Sequence, residues 1–155
     1  MTAYDTLYNS KSFLGHSILL LWPQTLAQDE VLNFKKGHAT ADGGAIEVTN
    51  AQVTLNNCIL TENEALDYGG AVSVDGGTFI ANNCQFLNNW AEDDGGAISC
   101  EDDGTVELNN CYFEGNKKIK DGVTEENDFG MKVEHLEPGL LTTADLKDMV
   151  PLKLK

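Results

Sequence analysis

Apolar and polar residues alternate along the middle of the chain in very short runs. Ile46 and Val48 flank Glu47, and Val53 and Leu55 flank Thr54. Spacing of two is the mark of a half-buried strand, because successive side chains on a strand point to opposite faces. Gly- and Asn-rich stretches separate the runs. Those residues supply the left-handed backbone angles that tight bends require. The pattern predicts strands of a few residues each, joined by sharp corners.

The same pattern then returns. Gly43-Gly44-Ala45-Ile46 recurs as Gly69-Gly70-Ala71-Val72 and as Gly95-Gly96-Ala97-Ile98, a period of 26 residues. In that register Ile46, Val72 and Ile98 form one column, and Val48, Val74 and Cys100 the next. Val53, Phe79 and Val106 follow, with one extra residue near Asp103, and then Leu55, Ala81 and Leu108. Asn56-Asn57-Cys58 repeats as Asn82-Asn83-Cys84 and Asn109-Asn110-Cys111. Leu60, Phe86 and Phe113 align, as do Asn63, Asn89 and Asn116. Phe34 and Ala39 begin a half coil upstream, and Gly122-Val123 is a degraded echo downstream. A period of 26 is short for a helical repeat, and the Leu-x-x-Leu-x-Leu pattern of leucine-rich repeats is absent. Two or three short strands per unit make one coil of a β-solenoid, with coils stacked about 4.8 Å apart. The expected fold is all-β, a single-stranded parallel β-helix of three to four coils with short terminal caps. Asn57, Asn83 and Asn110 are expected to form an amide ladder at a bend, and Gly43, Gly69 and Gly95 to open a corner that a Cβ would obstruct.

Gly-Gly-Ala-Ile paired with Phe-x-x-Asn resembles the repeats of the polymorphic outer-membrane proteins of chlamydiae. The matching residues are Gly43–Ile46, Gly69–Val72 and Gly95–Ile98, with Phe86–Asn89, Phe113–Asn116 and the near match Leu60–Asn63. The resemblance covers about half the chain. It implies a right-handed, pectin-lyase-like β-helix displayed outside the cell or at the outer membrane and used for adhesion. The family proteins carry many more repeats and a C-terminal membrane barrel, neither of which is found here.

Charge narrows the partners. Residues 43–116 hold thirteen Asp and Glu and no Lys or Arg, within a chain of net charge −15. Such a surface repels phosphate backbones and anionic lipid, so nucleic acid is not expected as a partner. It favours cations and basic protein patches, and it also blocks edge-to-edge association of a repetitive β-protein.

The candidate chemistry is sparse. Related β-helices include polysaccharide lyases and hydrolases, but the chain has no Arg to act as the base such lyases use. Asp42 and Asp94 precede a Gly pair and Asp121 precedes its echo. Asp67 and Asp93 share the position before that. These five are candidate Ca²⁺ ligands, since Ca²⁺ accepts six to eight oxygens in flexible geometry. The acidic loop Glu101-Asp102-Asp103-Gly104 is a further candidate. No pair stands out as an acid and a base, so no enzyme is expected and no cofactor is required. Cys58, Cys84 and Cys111 fall in one column. They are read either as a ladder of buried thiols or, in a secreted protein, as partners for a bridge such as Cys58–Cys84. His38 and His135 stand alone and are expected in turns or at the surface.

Residues 1–27 contain the apolar run 13–22, too short to span a bilayer and read as a signal peptide or a helical cap. Residues 28–122 are assigned to the β-helix and 123–155 to a C-terminal cap or docked tail, with a short helix over 142–150 stopped by Pro151. The expected function is a non-catalytic, extracellular or surface-associated module for binding a protein or glycan through an acidic face. The alternatives are a reduced carbohydrate-active β-helix and a spacer within a longer repeat protein.

Overall fold

In the computed structural model the backbone is described for residues 12–14, 18–20, 24–26, 31–101, 104–127 and 129–131, and the side chains for 31–101 and 104–127. These residues form strands and turns and no helix. The chain opens with β1 (Ser12–Leu14), β2 (Ile18–Leu20) and β3 (Gln24–Leu26). One coil then comprises β4 (Leu32–Lys35), β5 (His38–Ala39), β6 (Ile46–Thr49) and β7 (Gln52–Asn56). The next comprises β8 (Cys58–Thr61), β9 (Glu64–Ala65), β10 (Val72–Asp75) and β11 (Thr78–Asn82). A third holds β12 (Gln85–Leu87), β13 (Trp90–Ala91), β14 (Ile98–Glu101) and β15 (Thr105–Asn109). Last come β16 (Tyr112–Glu114), β17 (Lys117–Lys120), β18 (Val123–Glu126) and β19 (Phe129–Met131).

Each strand except β18 pairs with its counterpart one coil away, giving four sheets. Sheet I runs β1-β4-β8-β12-β16 and sheet II runs β5-β9-β13-β17-β18. Sheet III runs β2-β6-β10-β14-β19 and sheet IV runs β3-β7-β11-β15. The repeat columns are the observed register. Ile46 lies opposite Val72 and Val72 opposite Ile98; Val53 opposite Phe79 and Phe79 opposite Val106; Leu60 opposite Phe86 and Phe86 opposite Phe113. The extra residue of the third coil falls in the turn between β14 and β15, where three residues stand in place of the two between β10 and β11. The inward columns close into one core in which Phe34, Leu60 and Phe86 are fully buried, and Phe86 and Phe113 stack with ring centroids 4.6 Å apart. Fully burying a side chain of this size contributes about 1.5–3 kcal/mol.

Single left-handed residues make the corners. Asn57, Asn83 and Asn110 have φ of 55°, 54° and 55°, and Lys36, Glu62 and Asn88 each have φ of 54° at the bend between sheets I and II. The corner amides still reach the next coil: Asn57 N donates to Asn82 O at 2.9 Å and Asn88 N to Glu114 O at 2.8 Å. The Gly pair serves two needs. Gly43, Gly69 and Gly95 have φ of 64°, 67° and 66°. A Cβ on Gly70 would lie 2.1 Å from Gly96 O and 2.5 Å from the backbone of Trp90, so this loop can lie against sheet II only where no side chain exists.

Two segments depart from the expectation. The described residues of 1–27 are strands and not a helical cap: β1, β2 and β3 extend sheets I, III and IV in parallel. Only three residues separate β1 from β2, whereas ten separate β4 from β6 and carry β5. The three residues between β1 and β2 are too few for the Gly-pair loop, and among the described residues no strand before β5 joins sheet II. The small-residue site ending at Ala27 lies outside the described residues. At the other end β18 folds back antiparallel on β17, and β19 then resumes the parallel stack beside β14. The helix expected over 142–150 lies outside the described residues.

Gly70→Ala is expected to destabilise the fold by about 3 kcal/mol or more, because no rotamer change relieves a backbone clash. Gly122→Ala, whose Cβ meets nothing within 4 Å at φ 77°, should cost about 1–2 kcal/mol, the left-handed penalty alone. Denaturant melts of the two variants check this; equal losses would remove the steric account of the Gly pair.

Candidate functional site

The acids before the Gly pair are placed by backbone bonds between coils. Asp67 N donates to Ala41 O at 3.1 Å and Asp93 N to Asp67 O at 2.9 Å, while Tyr68 and Asp94 form a parallel bridge. The carboxylates of this corner are thereby stacked, yet their side chains are largely occupied. Asp42 Oδ1 accepts from Tyr68 N at 3.0 Å. Asp93 Oδ1 meets Lys120 Nζ at 2.6 Å. Asp94 Oδ1 accepts from Gly95 N at 3.1 Å and from Asn127 Nδ2 at 3.0 Å.

Asp121 does not join the column. The β17–β18 hairpin turns at Asp121 and Gly122, and the place beside Asp94 goes to Asn127, which also accepts from Gly96 N at 3.1 Å. Among the described residues no group of three or more His, Cys, Asp and Glu comes together as a metal site. Asp102 and Asp103 of the acidic loop lie outside the described residues. His38 does not stand alone: its Nδ1 contacts the Glu64 carboxylate across sheet II.

Electrostatics separates two of these acids. Burial raises the pKa of Asp42 above the ordinary carboxylate range, the hydrogen bond from Tyr68 N partly offsets this, and Asp67 and Asp75 add to the rise. Asp93 is held low by its bond to Lys120.

A second acidic surface lies on the outer face of sheet III. Val72 and Val74 point into the core, so Ser73 and Asp75 lie on the opposite face of the strand, as do Ser99 and Glu101 in the next coil; Ser73 and Ser99 are buried there, and Asp75 and Glu101 are half-buried. Asp75 and Glu101 are directly opposed, with Thr49 beyond Asp75, and Glu47 occupies the column of Ser73. Ser99 Oγ donates to Ser73 Oγ at 3.2 Å. Of this pair the sequence pointed only to Glu101, within the acidic loop, and not to Asp75. The signal lies in the spacing, since Asp75 and Glu101 are separated by one period, but it sits at strand ends and not beside the Gly pair.

The ladder residues take up positions along the stack. Asn110 Nδ2 donates to Asn83 Oδ1 at 2.5 Å, and beside it Asn82 bonds Asn56 at 2.8 Å and Asn109 bonds Asn82 at 2.9 Å. A third amide column, Asn63, Asn89 and Asn116, is buried. The four cysteines are free and buried. Cys84 Sγ lies 3.7 Å from Leu55 O and Cys111 Sγ 3.3 Å from Ala81 O. At Cys84 the contact with Cys111 favours the thiolate, but the contact with Cys58 and burial outweigh it and push the pKa up to about 12. Burial, with Glu101 adding to it, pushes Cys100 up to about 12, and Cys111 is raised by its contact with Cys84 and by burial. The column is chemically quiet, since the thiolate is the reactive form.

A family model described as a right handed beta helix region matches residues 28–136. No curated protein and no solved structure matches the chain.

Two measurements follow from the site. Asp42 holds its proton more tightly folded than unfolded, so its contribution to stability falls as pH rises from the ordinary carboxylate pKa to the raised one. Asp42→Asn keeps the acceptor for Tyr68 N and removes the charge. It should raise the melting temperature at neutral pH, with the gain fading as pH falls below the carboxylate range. A pH-independent difference would contradict this. The native protein should also resist an aromatic disulfide reagent, with all four thiols labelling only at the rate of unfolding; fast labelling in the absence of denaturant would show that the column opens locally.

Proposed function

We propose that this chain, which belongs to the right-handed β-helix family, is a non-catalytic binding module that works outside the cell or at its surface. The observation that carries the reading is the outward row on sheet III. Asp75 and Glu101 are directly opposed there and Glu47 stands in the neighbouring column, all three half-buried on mutually paired strands, in a stretch of chain with no basic residue. Like charges directly opposed across a sheet are destabilising. A row kept at that cost suits a complementary, positively charged surface on a protein or glycan-bearing partner, and such charge steers encounter. The likeness of the Gly-Gly-Ala-Ile and Phe-x-x-Asn units to chlamydial outer-membrane repeats supports display outside the cell and a role in adhesion. The carboxylates at the Gly corner support the same reading indirectly, because hydrogen bonds and Lys120 occupy them in holding the coils.

A second reading rests on the same pair. Asp75 and Glu101 lie opposite each other on neighbouring coils, and a glycoside hydrolase works through two neighbouring carboxyl groups, which favours a reduced carbohydrate-active β-helix as the alternative. Its mark would be sugar release from an acidic polysaccharide that Asp75→Asn abolishes with the fold intact.

The test is binding of the full chain to immobilised extracellular matrix or to cultured cells. The triple variant Glu47→Gln, Asp75→Asn, Glu101→Gln should bind at least about tenfold more weakly, the factor that 1.4 kcal/mol represents. Raised salt should weaken the native protein in the same way. Gln52→Ala and Thr54→Ala on the outer face of sheet IV should change nothing. Equal binding by the triple variant and the native chain would end the proposal.

A further inference from the structure

The last described rung of sheet II is built unlike the rungs before it. In β5, β9 and β13 the inward position is Ala39, Ala65 and Ala91, in register, with Ala65 and Ala91 fully buried. In β17 the residue opposite Ala91 is Lys118. Its ammonium pairs with the Glu125 carboxylate at 3.2 Å and its side chain remains 29% exposed. Glu125 belongs to β18, and the β17–β18 pairing is antiparallel, whereas every other described pairing is parallel. Lys120 ties the same strand back to the preceding coil through Asp93.

A parallel rung added to sheet II would have to displace β18 and lay its inward residue over Lys118. That takes the ammonium out of water and away from Glu125, which is strongly unfavourable for an ion without its partner. The strand best shaped to attempt it is β5 of a second copy, which is the strand at the opposite edge of sheet II and carries Ala39 inward. Such head-to-tail contact is not closed by symmetry and would continue into a filament. Inward-pointing charge at a sheet edge is a known means of blocking this.

We propose that Lys118, held by Glu125, is a stop that keeps a second copy of this chain from stacking on the β17 rung. The inference is separate from the binding reading, which concerns the outer face of sheet III.

Sedimentation velocity on the full chain across a concentration series tests it, with four proteins. The native chain, Lys117→Ala and the charge-swapped Lys118→Glu/Glu125→Lys should sediment as monomers throughout. Lys118→Ala should form species of dimer mass or larger as concentration rises. Lys117 sits on the same strand and carries the same charge but points outward, so it separates the stop from a general change in net charge. Lys118→Met, which keeps the long stem, takes the place of Lys118→Ala if that variant does not melt cooperatively. Lys118→Ala or Lys118→Met remaining monomeric would overturn the proposal. So would Lys117→Ala associating as strongly, or the native chain itself associating.

Discussion

The stack depends on the buried amide column of Asn63, Asn89 and Asn116. Each of these side chains is at most 1% exposed, so each amide must find all its partners within the protein. It does so by reaching into both neighbouring coils. Asn89 Nδ2 donates to Leu60 O at 3.0 Å in the coil before and to Asn116 Oδ1 at 2.9 Å in the coil after, while Asn89 Oδ1 accepts from Asn63 N at 3.0 Å and Asn63 Nδ2 at 2.9 Å. Asn63 repeats this against Phe34 O and Gly37 N. No described buried side-chain polar atom lacks a partner. A buried amide losing its partner costs about 1–3 kcal/mol, so the ladder couples successive coils more strongly than apolar contact alone, which tolerates sliding.

That coupling constrains where the repeat can vary. The distance from Phe or Leu to the Asn three residues later cannot change without breaking the bond to the preceding coil. The third coil's extra residue falls instead in the turn between β14 and β15, away from the ladder, and Asn116 then bonds Asn89 from 27 residues away as securely as Asn89 bonds Asn63 from 26. The Gly corner is constrained in another way. There the limit is space: a Cβ on Gly44 would come 2.1 Å from Gly70 O, and one on Gly96 2.3 Å from Asn127 O. Acids that precede such a corner are fixed by the backbone around them and become part of the joint.

The fold and its register could be read from the sequence because they rest on columns of like residues at one period. Ile46, Val72 and Ile98 announce themselves by recurrence. The opening coil escaped because the loop that carries the Gly pair is missing: Ser12 lies opposite Asn33, 21 residues on, while Ile18 lies opposite Ile46, 28 residues on. No single period links those pairs, and a short apolar run such as 18–21 suits a strand and a signal peptide equally. Asp121 was placed wrongly for a related reason. Its spacing from Phe113 mimics the repeat, but the strand before it carries Lys117, Lys118 and Lys120, and the hairpin gives Lys118 a partner in Glu125 where another coil would bury it, while Lys120 pairs with Asp93. Of the candidate site, the acids beside the Gly pair were visible as a motif, whereas the Asp75–Glu101 pair becomes visible only when strand ends are followed from coil to coil.

A stack of identical rungs carries an inherent hazard, because whatever makes one coil add to the next makes one molecule add to another. Hydrogen bonds along the axis do not distinguish the two cases. Side chains must. Along the flanks the single sign of charge over 43–116 opposes lateral association. At the β17 rung the Ala column ends in an ammonium group, and the pairing direction reverses in the same place. The two devices act on different directions of growth, and neither disturbs the amide ladder that sets the spacing. The binding role proposed above would need both, since end-on assembly would multiply the outer face without limit and lateral assembly would hide it.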